Sequence, residues 1–296
     1  MYSNIKLKKT FLRFLLISLS LIFVVSCAPR DTIKDTKERP KVALVLGAGA
    51  SKGFAHVGVI KVLEANGIPI DMVVGTSAGS FVGSLYAFGY SAFELQSMAL
   101  SITKGDVVDV SIPDKGFIKG DKLEDFINSR VKNTPIERFK IPFHAVATDI
   151  TTGKEIAFGK GNAGMAVRAS CAIPGIFRPV RIGSATYVDG GVVSPVAVDI
   201  AKMYGADIVI AVDISGDTST HTPDGIIETI MKSIDIMYSR IANHQVSKAD
   251  VVIRPKVSHI GSADFDKRHE AILEGERATQ FMIPRIKELI NNTKIK

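Results

Sequence analysis

Short apolar stretches and helical repeats alternate along the chain from residue 41 onward. Runs that are rich in apolar residues are typical of strands buried on both faces of a parallel sheet. Such runs lie at residues 41–46, 72–74, 141–150 and 207–213. In residues 54–65 and 78–88 the apolar positions instead recur at helical spacing, which gives a strand-loop-helix-strand unit. This order predicts an α/β fold.

Cap and turn signals predict the remaining elements. Ser91 and Glu94 have the spacing of a capping box, which would open a helix that extends to about residue 102. A Thr-Gly turn at residues 152–153 would pair residues 154–158 with the preceding strand as a hairpin. Further helices are predicted at residues 121–131, 162–170, 195–204, 226–248 and 267–291, and strands at residues 185–189 and 250–253.

Two segments lack a regular pattern. Residues 104–120 scatter apolar side chains among Gly, Pro and Asp. This pattern fits a lid or the wall of an acyl groove, and it equally fits a loop packed on the core. Residues 216–224 are polar and are predicted to be flexible.

The first residues have the layout of a secretion signal. Residues 1–10 carry three lysines, and residues 14–25 form an almost unbroken apolar run. The run is short for a membrane span, and its flanks are those of a signal peptide. It ends in Val24-Val25-Ser26-Cys27, which resembles a bacterial lipobox. We therefore predict a lipoprotein signal peptide at residues 1–26, with an ordinary signal peptide or an uncleaved anchor as the alternatives.

Lipidation of Cys27 would hold the protein on a membrane outside the cytoplasm. Its acyl chains would anchor the chain firmly, because each buried methylene contributes about 0.8 kcal/mol. Ala28 rather than an acid follows the cysteine, which favours the outer membrane in a two-membrane bacterium. The predicted mature parts are a lipidated polar tether at 27–40 and one domain at 41–296, with its core motifs in 41–257 and a C-terminal helical part in 258–296.

The formal charge of +7 does not by itself indicate an anionic partner. Four basic residues and no acidic residue lie within residues 1–26, so the rest of the chain carries only +3. This excess is too small to indicate nucleic-acid binding, and we predict no nucleic-acid partner. Cys171 would have no disulfide partner once Cys27 is lipidated, and its small neighbours predict a packed structural residue.

A candidate nucleophile lies where the second predicted strand meets a helix. The segment Gly75-Thr76-Ser77-Ala78-Gly79 has the Gly-x-Ser-x-Gly pattern of a nucleophile elbow. The tight turn would raise the Ser77 hydroxyl above the sheet, and Gly75 and Gly79 would avoid side-chain collisions there. The helix N-terminus would direct unpaired N–H groups at the same point. A loop serine with glycines nearby is the alternative, since short patterns recur by chance.

A Gly-rich loop, Gly47-Ala48-Gly49-Ala50-Ser51-Lys52-Gly53, precedes the first helix. A dinucleotide fingerprint would need the third glycine one residue earlier, and a Walker loop would need Ser or Thr after Lys52, so both nucleotide hypotheses are weak. Small residues at a helix N-terminus instead predict an oxyanion hole. Its candidate amides are those of Gly47, Ala48, Gly49 and Ala50. Lys52 would either favour an anionic lipid head group or lie solvated at the surface.

A serine nucleophile needs a base, and two kinds are compatible with this sequence. Asp189 ends a predicted strand, and Gly190 and Gly191 after it would leave the carboxylate open to close approach, although a plain turn gives the same pattern. Asp149 and Asp213 also end strands, but no glycine follows them. In a Ser-His-Asp hydrolase the histidine comes last in the chain, which leaves four candidates. They are His221, His244, His259 and His269.

Other chemistries find little support. His56 lies just after the Gly-rich loop on the first predicted helix, and a packed or capping role suits it better than that of a base. The chain contains no H-x-E or C-x-x-C grouping, so we predict no metal site. No cofactor is predicted.

Taken together and in order, these segments resemble the bacterial patatin-like phospholipases. The resemblance rests on the Gly-rich loop ending in Lys52-Gly53, the serine motif and Asp189-Gly190-Gly191. Residues 168–177 and 205–209 resemble further signatures of this family, and the match extends from about residue 41 to 257. It implies a three-layer α/β/α fold with a mostly parallel central sheet.

The resemblance also implies a mechanism. Ser77 would be the nucleophile, Asp189 its base without a histidine, and the loop 47–53 the oxyanion hole. Ala48 and Ala50 stand where the family often has consecutive glycines, and alanine disfavours positive φ.

We therefore predict a serine lipid acyl hydrolase of the phospholipase A or lysophospholipase type that acts on phospholipid or other acyl esters through an acyl-enzyme. A catalytically silent, membrane-anchored scaffold on the same fold, a Ser-His-Asp hydrolase and a nucleotide-binding module are the alternatives.

Overall fold

The computed structural model describes residues 39–111, 116–216 and 222–293. The predicted signal peptide and nearly all of the tether, which includes Cys27, lie outside these ranges, as do residues 217–221 of the predicted polar segment. Within the three ranges, no helix is both long enough and apolar enough to cross a membrane.

A mixed sheet of eight strands lies at the centre of the described residues. The strands are β1 Val42–Leu46, β2 Met72–Thr76, β3 Phe143–Asp149, β4 Glu155–Phe158, β5 Val180–Ile182, β6 Ala185–Asp189, β7 Ile208–Val212 and β8 Val251–Ile253. Their order is β5-β6-β3-β2-β1-β7-β8, and β4 also pairs with β3. Along the part of the sheet ordered β3-β2-β1-β7-β8, all neighbouring strands are parallel. Strands β4 and β6 pair antiparallel with β3, and β5 pairs antiparallel with β6. The predicted mostly parallel sheet is confirmed.

Helices cover both faces of this sheet. In the described ranges they are α1 Phe54–Ala65, α2 Ala78–Phe88, α3 Ala92–Ser101, α4 Lys104–Val107, α5 Asp121–Arg130, α6 Ala163–Ser170, α7 Val198–Met203, α8 Ile226–Val246 and α9 Arg268–Asn292. A 3₁₀ turn at Ala50–Gly53 leads into α1. The bounds of α1 and α2 agree with the predicted ones, and the Ser91–Glu94 capping box is present.

Alternate side chains of β1 enter two separate cores. Leu44 and Leu46 belong to a large core that also contains residues of α1, α2, α3, α5 and α9. Ala43 and Val45, on the opposite face, belong to a smaller core with residues of α7 and α8. This alternation follows from the two-residue period of a strand, and it produces the predicted three-layer α/β/α arrangement.

Three details of the predicted secondary structure were wrong. The segment 104–120, predicted to be irregular, begins with the short helix α4. Strand β5 was not predicted, because three residues are too few to show a pattern in the sequence. The helix predicted from residue 195 begins only at Val198. The preceding residues make loop contacts instead: the Pro195 carbonyl accepts the Ala48 N–H, and the Val196 N–H donates to the Gln245 side chain.

Helices α1 and α9 cross at glycines. A Cβ atom on Gly275 would lie 2.0 Å from the Ala55 carbonyl oxygen, and one on Gly58 would lie 2.0 Å from that of Ile272. We expect Gly275→Ala to lower the free energy of unfolding by about 1–3 kcal/mol, because overpacking outweighs the better helix propensity of alanine. Urea unfolding measures this change.

Gly105→Ala is the matched control for this prediction. Gly105 also lies in a helix, and the nearest atom to an added Cβ is Thr103 Oγ1 at 3.7 Å. This variant is expected to be at least as stable as wild type. Equal stability of the two variants would show that α1 and α9 do not need the close crossing.

Candidate active site

Ser77 occupies a strained turn between β2 and α2. It is the N-cap of α2, with φ 53° and ψ −121°, and it is buried. A non-glycine residue seldom adopts such a φ, and strain of this kind is concentrated at functional sites. The flanking glycines permit the turn, since a Cβ on Gly75 would lie 2.5 Å from the Gly79 carbonyl oxygen and one on Gly79 would lie 2.0 Å from that of Leu46. The geometry is that of the predicted elbow.

The Ser77 hydroxyl donates a hydrogen bond to Asp189. Ser77 Oγ lies 2.6 Å from Asp189 Oδ2, although the two residues are 112 positions apart. Asp189 ends β6 and is fully buried, and the Gly191 N–H donates to its Oδ1 at 2.7 Å. A Cβ on Gly190 would lie 2.1 Å from the Val146 carbonyl oxygen, so the glycine after the aspartate is required for this packing.

Burial changes the basicity of Asp189. Desolvation raises the pKa of its carboxyl group from 3.8 to about 6, while the hydrogen bonds from Ser77 and Gly191 and the nearby Tyr238 hydroxyl oppose this rise. At neutral pH the group is therefore mainly ionised, yet it is a stronger base than an exposed aspartate.

Two further serines, not identified from the sequence as functional, hold the elbow in place. Ser170 Oγ accepts the Ser77 N–H at 2.9 Å and donates to the Val146 carbonyl at 2.6 Å. Ser80 Oγ donates to the Ser77 carbonyl at 2.7 Å. Ser170 and Ser80 are both fully buried. The Ser77 backbone is thus fixed on both sides by side chains whose partners the sequence pattern does not reveal.

The Gly-rich loop offers fewer free amides than predicted. The Gly47 N–H donates to the Val212 carbonyl at 3.0 Å, and the Ala48 N–H donates to the Pro195 carbonyl at 2.9 Å. In the described ranges this leaves the Gly49 and Ala50 amides unused by the loop itself. Gly47 and Ala48 are therefore removed from the predicted set of four oxyanion donors, because their amides already hold the loop to its neighbours, and Gly49 and Ala50 stay as the predicted donors.

Ala50 itself departs from the sequence-based expectation. Alanine disfavours positive φ, but Ala50 has a φ of 48°. Ala50, Ser51 and Gly53 line the same cavity as Ser77, and a Cβ on Gly53 would lie 2.6 Å from the Ala78 Cβ. The missing side chain of Gly53 therefore lets the loop pack against the start of α2, beside Ser77.

Both predicted settings of Lys52 are wrong. Only 4% of the residue is exposed, so it is not solvated. Its ammonium group lies 3.1 Å from Asp235 Oδ2 of α8, which also accepts a hydrogen bond from Ser262 Oγ at 3.1 Å. A buried ammonium group needs a carboxylate partner, and this pair connects the Gly-rich loop to α8 instead of presenting a charge to a head group.

The histidines of the described ranges do not contact Ser77 Oγ. His56 is fully buried, its Nε2–H donates to the Gly47 carbonyl at 2.8 Å, and desolvation lowers its pKa to about 4. The neutral ring thus fixes the Gly-rich loop, in agreement with the predicted packed role. His259 pairs with Glu270 at 2.7 Å, and the side chains of His244 and His269 are exposed. His221 lies outside the described residues.

The other groups considered from the sequence lie apart from the Ser77–Asp189 pair or are inert. Asp149 accepts the Thr151 N–H of its hairpin turn, and Asp213 bonds to Ser215 and Arg254. Cys171 is buried, and burial raises the pKa of its thiol, which fits the predicted structural role. Within the described ranges, no group of three His, Cys, Asp or Glu residues is arranged to hold a metal ion.

Ser77 opens into an apolar cavity of about 530 Å³. Almost every lining side chain is hydrophobic; examples are Phe81, Leu85, Met98, Val107, Phe126 and Phe177. The irregular segment at residues 104–120 contributes to one wall through its described residues, and Val107 of this segment also packs in the large core. A site of this volume can enclose a hydrocarbon chain next to the serine.

Comparison with known proteins agrees with this geometry. A sequence model of the family described as patatin-like phospholipase matches residues 44–202. An uncharacterized NTE family protein of Mycobacterium tuberculosis is 37% identical over 180 residues, which cover 60% of this chain and 50% of that protein. Lysophospholipase NTE1 of Debaryomyces hansenii is 36% identical over 188 residues, which cover 62% of this chain and 12% of that protein.

A solved structure shows the same fold. VipD from Legionella pneumophila superposes with a TM-score of 0.61 at 13% identity, over 84% of this chain and 67% of that chain. The chain spans about half the length of the mycobacterial relatives it matches. Because the family match covers more than half of the chain and contains both Ser77 and Asp189, the chain belongs to the patatin-like phospholipase family.

Proposed function

We propose that this protein is a serine lipid acyl hydrolase of the phospholipase A or lysophospholipase type, with Ser77 as nucleophile and Asp189 as base. The observation that carries the proposal is the 2.6 Å hydrogen bond from Ser77 Oγ to a buried carboxylate beside an apolar cavity. A nucleophile bonded directly to its base is the arrangement that acyl transfer requires.

The acylation step uses the groups around Ser77. Ser77 Oγ attacks the ester carbonyl carbon while its proton moves to Asp189 Oδ2. The carbonyl oxygen becomes an oxyanion, to which the amides of Gly49 and Ala50 donate. As the tetrahedral intermediate collapses, Asp189 gives the proton to the departing alcohol, and the acyl group remains on Ser77.

The deacylation step reverses these roles. Asp189, again ionised, takes a proton from a water molecule that attacks the acyl carbon. The second intermediate collapses, the proton returns to Ser77 Oγ, and a fatty acid leaves. Since the base must be ionised, kcat/KM is expected to rise with pH through the Asp189 pKa of about 6.

The cavity supports an acyl ester as the substrate class. It runs along α2 from Ser77 past Phe81 to Leu85, eight residues further on, a distance of roughly 12 Å at 1.5 Å per helical residue. Its apolar lining would hold the acyl chain and leave the head group outside. The name of the fungal relative, a lysophospholipase, agrees with this class.

Leu85 provides a test of where the acyl chain lies. The residue is 3% exposed and lines the cavity away from Ser77. We expect Leu85→Trp to lower kcat/KM for long-chain esters by about tenfold relative to short-chain esters. The indole would block part of the pocket, and losing the contact of even one methylene costs roughly 1–3 kcal/mol of transition-state binding. The measurement compares p-nitrophenyl esters of increasing length. Leu273→Trp, at a half-exposed position of α9, is the control and should leave the ratio unchanged.

We also propose that Cys27 carries lipid and anchors the enzyme to a membrane outside the cytoplasm, as the lipobox-like sequence indicates. Metabolic labelling with a fatty-acid probe in a bacterial host tests this proposal. Wild type should be labelled and should fractionate with membranes, whereas Cys27→Ser should be unlabelled. Labelling that persists in Cys27→Ser would refute the assignment.

A fluorophosphonate probe tests the catalytic proposal on the full chain. Wild type should be labelled at Ser77, and Ser77→Ala and Asp189→Asn should not be labelled. His221→Ala is the matched control and should be labelled at the wild-type rate. Loss of labelling in His221→Ala would favour a Ser-His-Asp hydrolase. No labelling of wild type would favour the catalytically silent scaffold.

A further inference from the structure

Tyr238 of α8 lies against Gly191, the residue whose N–H binds the carboxylate of Asp189. The side chain is buried, with 5% exposure. A Cβ atom on Gly191 would lie 2.3 Å from its ring and 2.8 Å from its hydroxyl oxygen, so the phenol occupies the space above Gly191. The Gly191 N–H is the group that donates to Asp189 Oδ1. The family match ends at residue 202, before α8 begins.

The Tyr238 hydroxyl lies near the Asp189 carboxylate but does not complete a hydrogen bond of full geometry with it. Among the described residues its oxygen has no partner at full hydrogen-bond geometry, although a buried hydroxyl usually has one. Burial and the negative charge of Asp189 raise the pKa of the phenol well above its ordinary value, so the group keeps its proton. The hydroxyl lies over Gly191, whose N–H already donates to the same carboxylate, so both groups are close to Asp189.

Asp189 loses one of its donors during the proposed reaction. In the free enzyme the carboxylate accepts from Ser77 Oγ and from the Gly191 N–H. In the acyl-enzyme, Ser77 Oγ is esterified and has no hydrogen to donate. The buried carboxylate is then left with less stabilisation at the stage when it must activate water.

We propose that Tyr238 is a positioning residue for Asp189: the Tyr238 O–H donates a hydrogen bond to the Asp189 carboxylate when Ser77 is acylated. The inference rests on the proposed function, since it concerns the acyl-enzyme. It assigns a role in deacylation to α8, which lies outside both the serine motif and the Asp189-Gly190-Gly191 motif.

The other groups near this pair do not replace Tyr238. The Cys171 thiol is a weak donor that stays protonated, and Ser80 lies 3.8 Å from its sulfur. Asp235, whose negative charge also raises the pKa of Tyr238, is a carboxylate paired with Lys52 and donates nothing. Without the phenol O–H, the carboxylate of the acyl-enzyme would ionise only at higher pH.

A titration without turnover tests the donor directly. Ser77→Ala removes the serine donor as acylation does, so the Asp189 pKa is compared in Ser77→Ala and in Ser77→Ala/Tyr238→Phe. Carboxyl ¹³C NMR of full-length protein labelled at aspartate gives the pKa, and Asp189→Asn identifies the signal. We expect the double variant to titrate about one unit higher, the usual size of a hydrogen bond to a charged group. Equal pKa values would overturn the proposal whether or not the protein is an enzyme.

A kinetic measurement separates positioning from packing. Acid-quenched mass spectrometry of a p-nitrophenyl ester reaction gives the steady-state acyl-enzyme fraction and the two rate constants. In Tyr238→Phe, deacylation at pH 6 should fall by about tenfold and recover towards pH 9, while acylation changes by less than about threefold. Tyr90→Phe, which loses a bond to the Arg130 carbonyl, is the matched control.

The outcomes distinguish the two proposals. Equal slowing of both steps at every pH would indicate a packing role and overturn the inference. Wild type that never forms an adduct at Ser77 would overturn the proposed function, while the NMR titration would still decide the role of Tyr238.

Discussion

Asp189→Asn is expected to abolish turnover and at the same time to stabilise the folded protein at neutral pH. Asparagine cannot accept the Ser77 proton, so kcat should fall by about 10²–10⁴-fold, the usual contribution of a general base. The stability gain follows from burial, because the wild-type carboxylate is fully buried with two hydrogen bonds and no cationic partner among the described residues. The variant keeps the shape of the side chain and removes its charge.

The direction of the stability change follows from the pKa of Asp189. The folded-state pKa is about 6, above the ordinary 3.8, so between these values the folded state binds the proton more tightly than the unfolded state. Wild-type stability therefore falls as pH rises through this window, and the loss reaches about 3 kcal/mol above pH 6. Asp189→Asn lacks this dependence.

Urea unfolding at pH 4, 5, 6, 7 and 8 measures the difference between wild type and the variant. The stability of Asp189→Asn relative to wild type should grow from pH 4 to about pH 6 and then level off. Asp125→Asn, which removes the same charge at an exposed position of α5, should show no such growth. A difference that is constant across this range would mean that burial does not raise the pKa of Asp189.

The sequence was sufficient for the parts of the site that are local. Strand, tight turn and helix are contiguous around Ser77, and the collisions that exclude a side chain at Gly75 and Gly79 occur within this unit or with the neighbouring β1. The candidate base Asp189 could be ranked above Asp149 and Asp213 because glycines follow it, and in the structure Gly190 packs against Val146 with no room for a side chain. Glycines in such patterns mark positions where two backbone segments approach too closely for a side chain.

The parts that could not be predicted depend on distant partners. Nothing in the sequence around Lys52 distinguishes it from an exposed loop lysine, because its partner Asp235 lies on the distant helix α8. Tyr238 lies on an amphipathic helix, and helical spacing alone cannot distinguish a core tyrosine from one beside a carboxylate. Ala50 adopts a positive φ in a loop held by contacts to residues 261–264, and its own side chain gives no sign of this. In each case the tertiary structure overrides the local preference.

Asp235→Ala is expected to cost about 3 kcal/mol of stability and about 10²-fold in kcat/KM. It leaves the Lys52 ammonium group, whose side chain is 5% exposed, without its carboxylate, and an unpaired buried charge typically costs about 3–5 kcal/mol. We take the lower end because 22% of the Asp235 side chain is exposed and water can approach. The activity loss follows because Lys52 belongs to the turn that carries the Ala50 amide, and a misplacement of about 1 Å can cost 10²-fold.

A second variant separates the unpaired charge from the lost contact. Lys52→Met/Asp235→Leu removes both charges and fills similar space, so most of the stability should return, as it does when other buried ion pairs become apolar. Glu288→Ala breaks the exposed pair with Arg285 and should cost less than about 1 kcal/mol. Thermal unfolding and ester hydrolysis are measured on all four proteins. If Asp235→Ala were no less stable than Glu288→Ala, Lys52 would not depend on this partner, and α8 would not hold the Gly-rich loop through the pair.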